Sequence, residues 1–509
     1  MLTGIFGKKP DHPLADIRSA QKLLDELPKN DLHKLLMDMA ELIDSLAGNA
    51  DLKLDQEFAV LRLLDEAAQP YARRLTAEYF APQELNAFQE GRLWLVLGNL
   101  SRQTAIAYCA VFDRYVNEEK GSNNIKAQAP LLMARAVYAM IWQLKYVCAH
   151  YELVEYAIWQ NLSNIFRYAE QQQCLDTQVS LYPGSVGNTT VRCEVGHLLG
   201  WYGSGINSLT PVHLHLTERI MAQYCLDINV HGGQNEFSVF SFDLNDPGAP
   251  RRVKMNIAVS PFMRYVSMPA MHTKLELLMK TLDKNIVPDD LVLGGSYGAE
   301  LIKEAVRHLL SYFLGPPLRR SVRRTIKINF NVESGFAPVV ERAKSAQGFN
   351  TDRLVWIIED ISANGFLTVL PVRGEGMRIG SVIGMQLEGV PHWGVAVVRR
   401  LFRNDENQLH VGAEILATQV ASVALNQSGG GGGGFEDGQL ALWFYAKPGE
   451  SSGEARLLMR AGAFSPNRSL QTRLNGKNYL LIPNGLQEKY IDCDLARFRL
   501  IEQEAEEED

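Results

Sequence analysis

Two stretches of the chain carry side chains suited to gripping an anion or a polar heterocycle. The first is Leu318-Arg319-Arg320-Ser321-Val322-Arg323-Arg324, which sets four guanidinium groups within six residues. A guanidinium keeps its charge at any physiological pH, forks onto phosphate through paired N–H donors and stacks flat on a base. The second is Glu359-Asp360-Ile361-Ser362-Ala363-Asn364-Gly365-Phe366. Here Asp360 and Ser362 offer short polar groups beside Asn364-Gly365, a pair suited to a tight hairpin turn. Taken singly, the first could be a solvated basic turn and the second a hairpin with local capping. Together they supply cationic forks and a carboxylate acceptor within one region.

Other groupings carry less. Leu291-Val-Leu-Gly294-Gly295-Ser-Tyr-Gly298 precedes a helical pattern but lacks the Gly-Lys-Ser/Thr of a phosphate-binding loop, and reads as a helix N-terminal turn. His213 and His215 are two apart on a helical stretch and so face different ways, unlike an i, i+4 chelating pair. Cys109, Cys148, Cys174, Cys193, Cys225 and Cys493 show no CxxC pairing and read as buried thiols in a reducing compartment. With no nucleophile elbow and no His-Glu-x-x-His, the expectation is a protein that is not an enzyme and carries neither metal nor cofactor.

Composition bounds the rest. The 509 residues are 46% hydrophobic and 21% charged with a net charge of −7, the balance of an ordinary globular chain of several domains. Without a net basic surface, general nucleic-acid binding is not expected. Met1 to Gly7 lacks the basic start and apolar core of a secretory signal. The most apolar long segment, Ala129 to Tyr151, holds Arg135, Lys145 and His150, which a lipid-facing span would not carry unpaired. These features predict a cytoplasmic protein with no membrane insertion.

The positioning elements emerge from periodicity. From Leu14 to about Gln173 apolar residues recur every three or four positions, which predicts a helical bundle over 1–180 whose exposed faces suit a protein partner. A mixed helix and strand region is expected over 181–315, with a helix from Pro211 to about Tyr224 and strands at Phe237 to Leu244 and Val253 to Val259. Gly315-Pro-Pro317 then breaks the helical pattern. Beyond Arg319 short strands separated by turns predict a small antiparallel barrel or sandwich over 316–425. A glycine-rich linker, 426–436, an appended β-rich unit, 437–501, and an acidic tail, 502–509, complete a multidomain α+β chain.

An arginine pair spaced by four at the start of a small β-barrel, with Asp-x-Ser-x-x-Gly downstream at a strand end, resembles the PilZ domain, the bacterial receptor for cyclic di-GMP. Further strands support the resemblance over about 316–425: Phe366 to Leu370, Val382 to Leu387 after Gly380, Val395 to Arg400, and Gly412-Ala-Glu-Ile415. The resemblance implies that Arg319 and Arg323, or Arg320 and Arg324 if the register shifts by one, grip phosphate and guanine. It implies that Asp360, Ser362 and Gly365 hold a guanine and let the ligand approach closely. The function it implies is a second-messenger receptor that passes its signal to a protein partner through the helical region. The alternative is a PilZ-like scaffold or adaptor that binds no nucleotide. Ligand stoichiometry, oligomeric state and downstream pathway stay open. The 36 residues between Arg323 and Asp360 hold an expected helical insertion, Ala337 to Ser345, and Trp393 reads as a core residue more readily than as a stacking platform.

Overall fold

A computed structural model describes residues 12–49, 52–82, 85–184, 187–253, 260–314, 323–344, 354–370, 376–427, 438–445 and 453–503. The chain divides into two compact units, Met1–Leu318 and Arg319–Asp509.

The first unit opens with helices α1 (Ile17–Glu26), α2 (Leu32–Leu46), α3 (Leu54–Tyr79), α4 (Ala87–Val116), α5 (Ser122–Ile125), α6 (Ala129–Ala149) and α7 (Tyr156–Gln171). The starts of α1, α2 and α4 are written in the sequence. Asp16 and Asp31 accept from the backbone N–H of Ser19 and Lys34, and Asn86 and Gln89 form a reciprocal capping box. Then come α8 (Val191–Gly203), α9 (Pro211–Gln223), α10 (Pro269–Leu282) and α11 (Ala299–Leu314), with a four-stranded antiparallel sheet in the order β1 (Asn229–His231), β4 (Met263–Ser267), β2 (Ser238–Asp243), β3 (Arg251–Arg252). One hydrophobic core runs from Leu14 to Leu309, so no break in packing accompanies the change of texture expected after residue 180. The expected strand Val253 to Val259 lies mostly outside the described residues, and β3 holds two residues.

Two of the three residues that argue against a lipid-facing α6, Arg135 and Lys145, are buried and paired. Arg135 binds Glu66 at 2.6 Å, the Tyr108 hydroxyl at 3.1 Å and the Leu181 carbonyl at 2.7 Å. Lys145 is paired with Glu218 on α9. No helix among the described residues is long and apolar enough to cross a membrane. His213 and His215 part as their spacing predicts: His213 reaches Glu304 at 2.8 Å, whereas His215 is buried, stacks on Phe80 at 4.6 Å and binds the Leu293 carbonyl at 2.8 Å. That last bond ties α9 to the turn at Gly294.

The second unit contains two closed six-stranded antiparallel barrels. The first joins β10 (Leu409–Ala417), β7 (Gly365–Leu370), β6 (Val355–Ser362), β5 (Arg324–Ser334), β8 (Val382–Leu387) and β9 (Gly394–Arg403), and β9 closes on β10. Phe330 sits inside, edge-on to Trp356 at 5.9 Å and Phe366 at 5.3 Å. The insertion after β5 is a short helix, α12 (Phe336–Arg342). The unit expected to be merely β-rich is itself a barrel, ordered β11 (Val420–Gln427), β12 (Gln439–Phe444), β13 (Glu454–Arg460), β16 (Cys493–Gln503), β15 (Lys477–Lys489), β14 (Leu470–Leu474). Closure needs β11, which falls largely within the range expected for the first barrel, because an open edge would leave its backbone groups unpaired. Glu502, expected in the tail, lies in β16 and pairs with Lys477 at 2.7 Å. Trp393 is buried in a core shared by the two barrels with Val339 and Leu442.

In the first unit, His197 is fully enclosed beside two carboxylates, Glu218 at 3.3 Å and Glu194 at 3.7 Å. Burial pulls its pKa down, but the two acids outweigh burial and raise it to about 9. A group raised above its unfolded value of about 6.5 stabilises fully below that pH and loses its contribution as pH rises through about 9. Urea unfolding of the full chain should therefore show stability falling between pH 6.5 and 9, by on the order of 3 kcal/mol from this group. His197→Gln should flatten that slope.

Candidate functional site

The first barrel's outer face is organised by pairing register. Side chains alternate across a strand, and directly paired residues share a face. Phe366 and Ala413 are paired and buried, and Phe366 is also paired with Ile361, so these three point inward. Asp360 is then outward, opposite Leu367 on β7 and Thr325 on β5.

That orientation depends on an irregularity. Ile358 faces the core and is fully buried, and Asp360, two residues on, would normally share its face. The pairing steps from Ile358 opposite Thr368 to Asp360 opposite Leu367, leaving Glu359 as an extra residue. Such a bulge shifts the alternation by one and re-aims the side chains beyond it. Asp360 and Ser362 thus turn outward, and the apolar Ile361 turns in. The signal is present in the sequence, since the apolar alternation Trp356, Ile358 resumes at Ile361 instead of residue 360.

The same parity sorts the arginines. Thr325 faces out opposite Asp360, so Arg324, opposite Ile361, lies on the other face and Arg323 returns to the outer one. Arg323 donates from Nη1 to both carboxylate oxygens of Asp360, at 2.9 and 3.0 Å. Arg324 is exposed and makes no such contact. Arg319 and Arg320 lie outside the described residues.

Ser362 donates to the Gly365 carbonyl at 3.1 Å across the hairpin. The turn residues are Ala363 and Asn364, one position earlier than Asn364-Gly365, because Gly365 already pairs with Ser362 as the first residue of β7. A Cβ on Gly365 would lie 2.5 Å from the backbone oxygen of Ala413. Close approach of β10 therefore requires glycine here whether or not a ligand is bound.

The site thus brings together Arg323, Asp360, Ser362 and Gly365 at one end of the outer face. Chemically it offers a carboxylate that can accept two parallel N–H groups, a hydroxyl, and a guanidinium that can exchange its carboxylate for a phosphate.

The fold and site define a multidomain α+β protein in which a helical unit precedes two closed barrels, the first with an arginine–carboxylate site on its surface. Residues 18–233 match the family described as the N-terminal domain of the cyclic-di-GMP receptor FimW. The matched stretch is less than half of the chain and runs from α1 to just past β1. No curated protein and no solved structure matches the chain.

The Arg323–Asp360 pair is partly exposed, with 44% and 24% of the two side chains accessible, and such pairs contribute about 1 kcal/mol or less. Asp360→Asn should accordingly leave the urea midpoint nearly unchanged. Gly365→Ala meets backbone that cannot yield, and should cost about 1–3 kcal/mol in the same measurement.

Proposed function

We propose that the chain is a bacterial cyclic di-GMP receptor that binds the second messenger on its first barrel, a PilZ-like domain, and signals to a protein partner through its helical unit. The observation that carries the reading is that Arg323, Asp360 and Ser362 emerge on one outer face in the order the PilZ motifs require, by way of a bulge that also turns Ile361 inward. Independent support comes from the match of residues 18–233 to a family described as a cyclic-di-GMP receptor domain. Two separate parts of the chain favour one ligand.

Asp360 would accept the N–H edge of a guanine, with Ser362 beside it. Arg323, released from Asp360, would fork onto phosphate, joined by Arg319 in the same four-residue register. That register is favoured over Arg320 with Arg324 because Arg323 is the one on the carboxylate's face. A scaffold that binds no nucleotide is the second reading. It is favoured by one observation, that Gly365 is accounted for by packing against Ala413 alone.

Calorimetric titration of the full chain with cyclic di-GMP, with GTP as the control, distinguishes the two. The receptor reading expects a dissociation constant of about 1 μM or tighter, the usual range for a recognition site with several charge-assisted bonds. Asp360→Ala and Arg323→Ala should each weaken it at least about tenfold, and Arg324→Ala much less. No heat from a folded protein would replace the receptor reading with the scaffold.

A further inference from the structure

Two of the six cysteines, far apart in the sequence, face each other in the helical unit. Cys193 stands in the first turn of α8, where the Thr190 hydroxyl accepts its backbone N–H at 3.1 Å. Cys225 opens a single 3₁₀ turn, Cys225–Asp227, just beyond the end of α9, and that turn lies against α8. The two helices form a hairpin in which His197 on α8 meets Glu218 on α9. One turn further toward the free ends of the arms, Cys193 meets Cys225, and the Cys225 thiol donates to the Cys193 sulfur.

The close approach is built into the sequence of α8. Gly196 and Gly200 lie three and seven residues beyond Cys193, on the same helix face. A Cβ on Gly196 would lie 2.8 Å from the Ile228 side chain, and one on Gly200 would lie 2.7 Å from Met221 and 3.8 Å from Ile228. The chain that leaves α9 therefore rests directly on the stripe that Cys193 begins. It is pinned on both sides, since Arg192 donates to the Val230 carbonyl and Asp227 pairs with Lys274 at 2.6 Å. Cys193 is buried and Cys225 half-buried, so the pair opens to solvent on the Cys225 side.

Surroundings divide the two sulfurs by role. The hydrogen bond from Cys225, with those from Thr190, outweighs burial and lowers the Cys193 pKa. The same thiol–thiol bond, together with burial, raises that of Cys225. Cys193 is therefore the sulfur that carries thiolate and attacks, and Cys225 the one that resolves the product. Burial raises the thiols of Cys109, Cys148, Cys174 and Cys493, which keeps them unreactive by comparison.

We infer that Cys193 and Cys225 are an oxidation site at which hydrogen peroxide forms a reversible disulfide across the free end of the α8–α9 hairpin. The Cys193 thiolate attacks one peroxide oxygen: an S–O bond forms, the O–O bond breaks, and the leaving hydroxide takes up a proton to become water. Cys225 then gives up its proton and attacks the sulfenic sulfur, so that the S–S bond forms, the S–O bond breaks and a second water leaves. Two thiols lose two electrons in all, and one peroxide is reduced to two waters. The new bond closes a loop of 33 residues, from 193 to 225. It locks together the two helices that share the buried His197–Glu218 pair, which an opening hairpin would separate. In a reducing compartment such a bond is transient, the behaviour of a sensor and not of a structural staple. The inference concerns the helical unit alone and stands whether or not the first barrel binds cyclic di-GMP.

The test treats the reduced full chain with hydrogen peroxide, caps the remaining thiols with iodoacetamide and maps disulfides by peptide mass spectrometry, beside thermal melting followed by helical circular dichroism. The Cys193–Cys225 cross-link should be the main product. The helical melting temperature should rise by about 5 °C, as a closed loop of this length implies, and return with dithiothreitol. Cys225→Ser should lose both the cross-link and the rise, and should leave a sulfenic acid at Cys193 that dimedone captures. Cys193→Ser should lose the cross-link and leave no dimedone label at Cys225. If Cys225→Ser does not fold, Cys225→Ala replaces it, a small apolar residue at a half-buried position. Absence of the Cys193–Cys225 peptide from the folded, peroxide-treated chain overturns the inference, as does a dithiothreitol-reversible rise that persists without Cys225.

Discussion

Strand parity is the constraint on which the surface chemistry of this protein depends. Each residue in a ladder has its face fixed by register, and one additional residue inverts the assignment for the remainder of the strand. In the first barrel this happens at Glu359, at Arg399 and at Leu416. On either side of those positions the strands do what their apolar residues dictate, sending Ile358, Phe366, Val398 and Val411 inward. The polar positions beyond Glu359 and Arg399 are thus a by-product of core packing plus the defects at those two residues. Moving either defect by one residue would exchange a charged group for an apolar one on the surface, and bury the charge.

The helical unit uses charge in the opposite way. Arg135, Lys145, Glu218 and His197 are enclosed, and each is matched by a partner, so the cost of removing them from water is offset by close pairing. Such pairs add little net stability over an apolar core. They penalise any alternative packing that would leave one member alone. The bundle is accordingly held to one arrangement of α3, α6, α8 and α9.

Much of this is legible in the sequence. The helices announce themselves by period and by caps, and the strand Val382 to Leu387 can be read to the residue. Asp360 and Ser362 stand out only when their motif is taken together with the upstream arginines. The features that escape a linear reading do so for identifiable reasons. The second barrel is hidden although Arg497 and Arg499 alternate with Phe498 and Leu500, because its closure pairs β11 with β14, which lie far apart in the sequence. Asn-Gly, a strong turn signal, places the hairpin turn one residue late, whereas Gly365 is needed for the approach of β10.

The contact between Gly365 and the Ala413 backbone also bears on how a barrel of this kind can drift. Where a glycine answers to a neighbouring strand, selection for folding keeps it after any ligand has been lost, while a surface carboxylate and hydroxyl are free to go. A descendant that had abandoned its ligand would still carry the last letter of Asp-x-Ser-x-x-Gly. The first two letters, and not the third, would record when that happened.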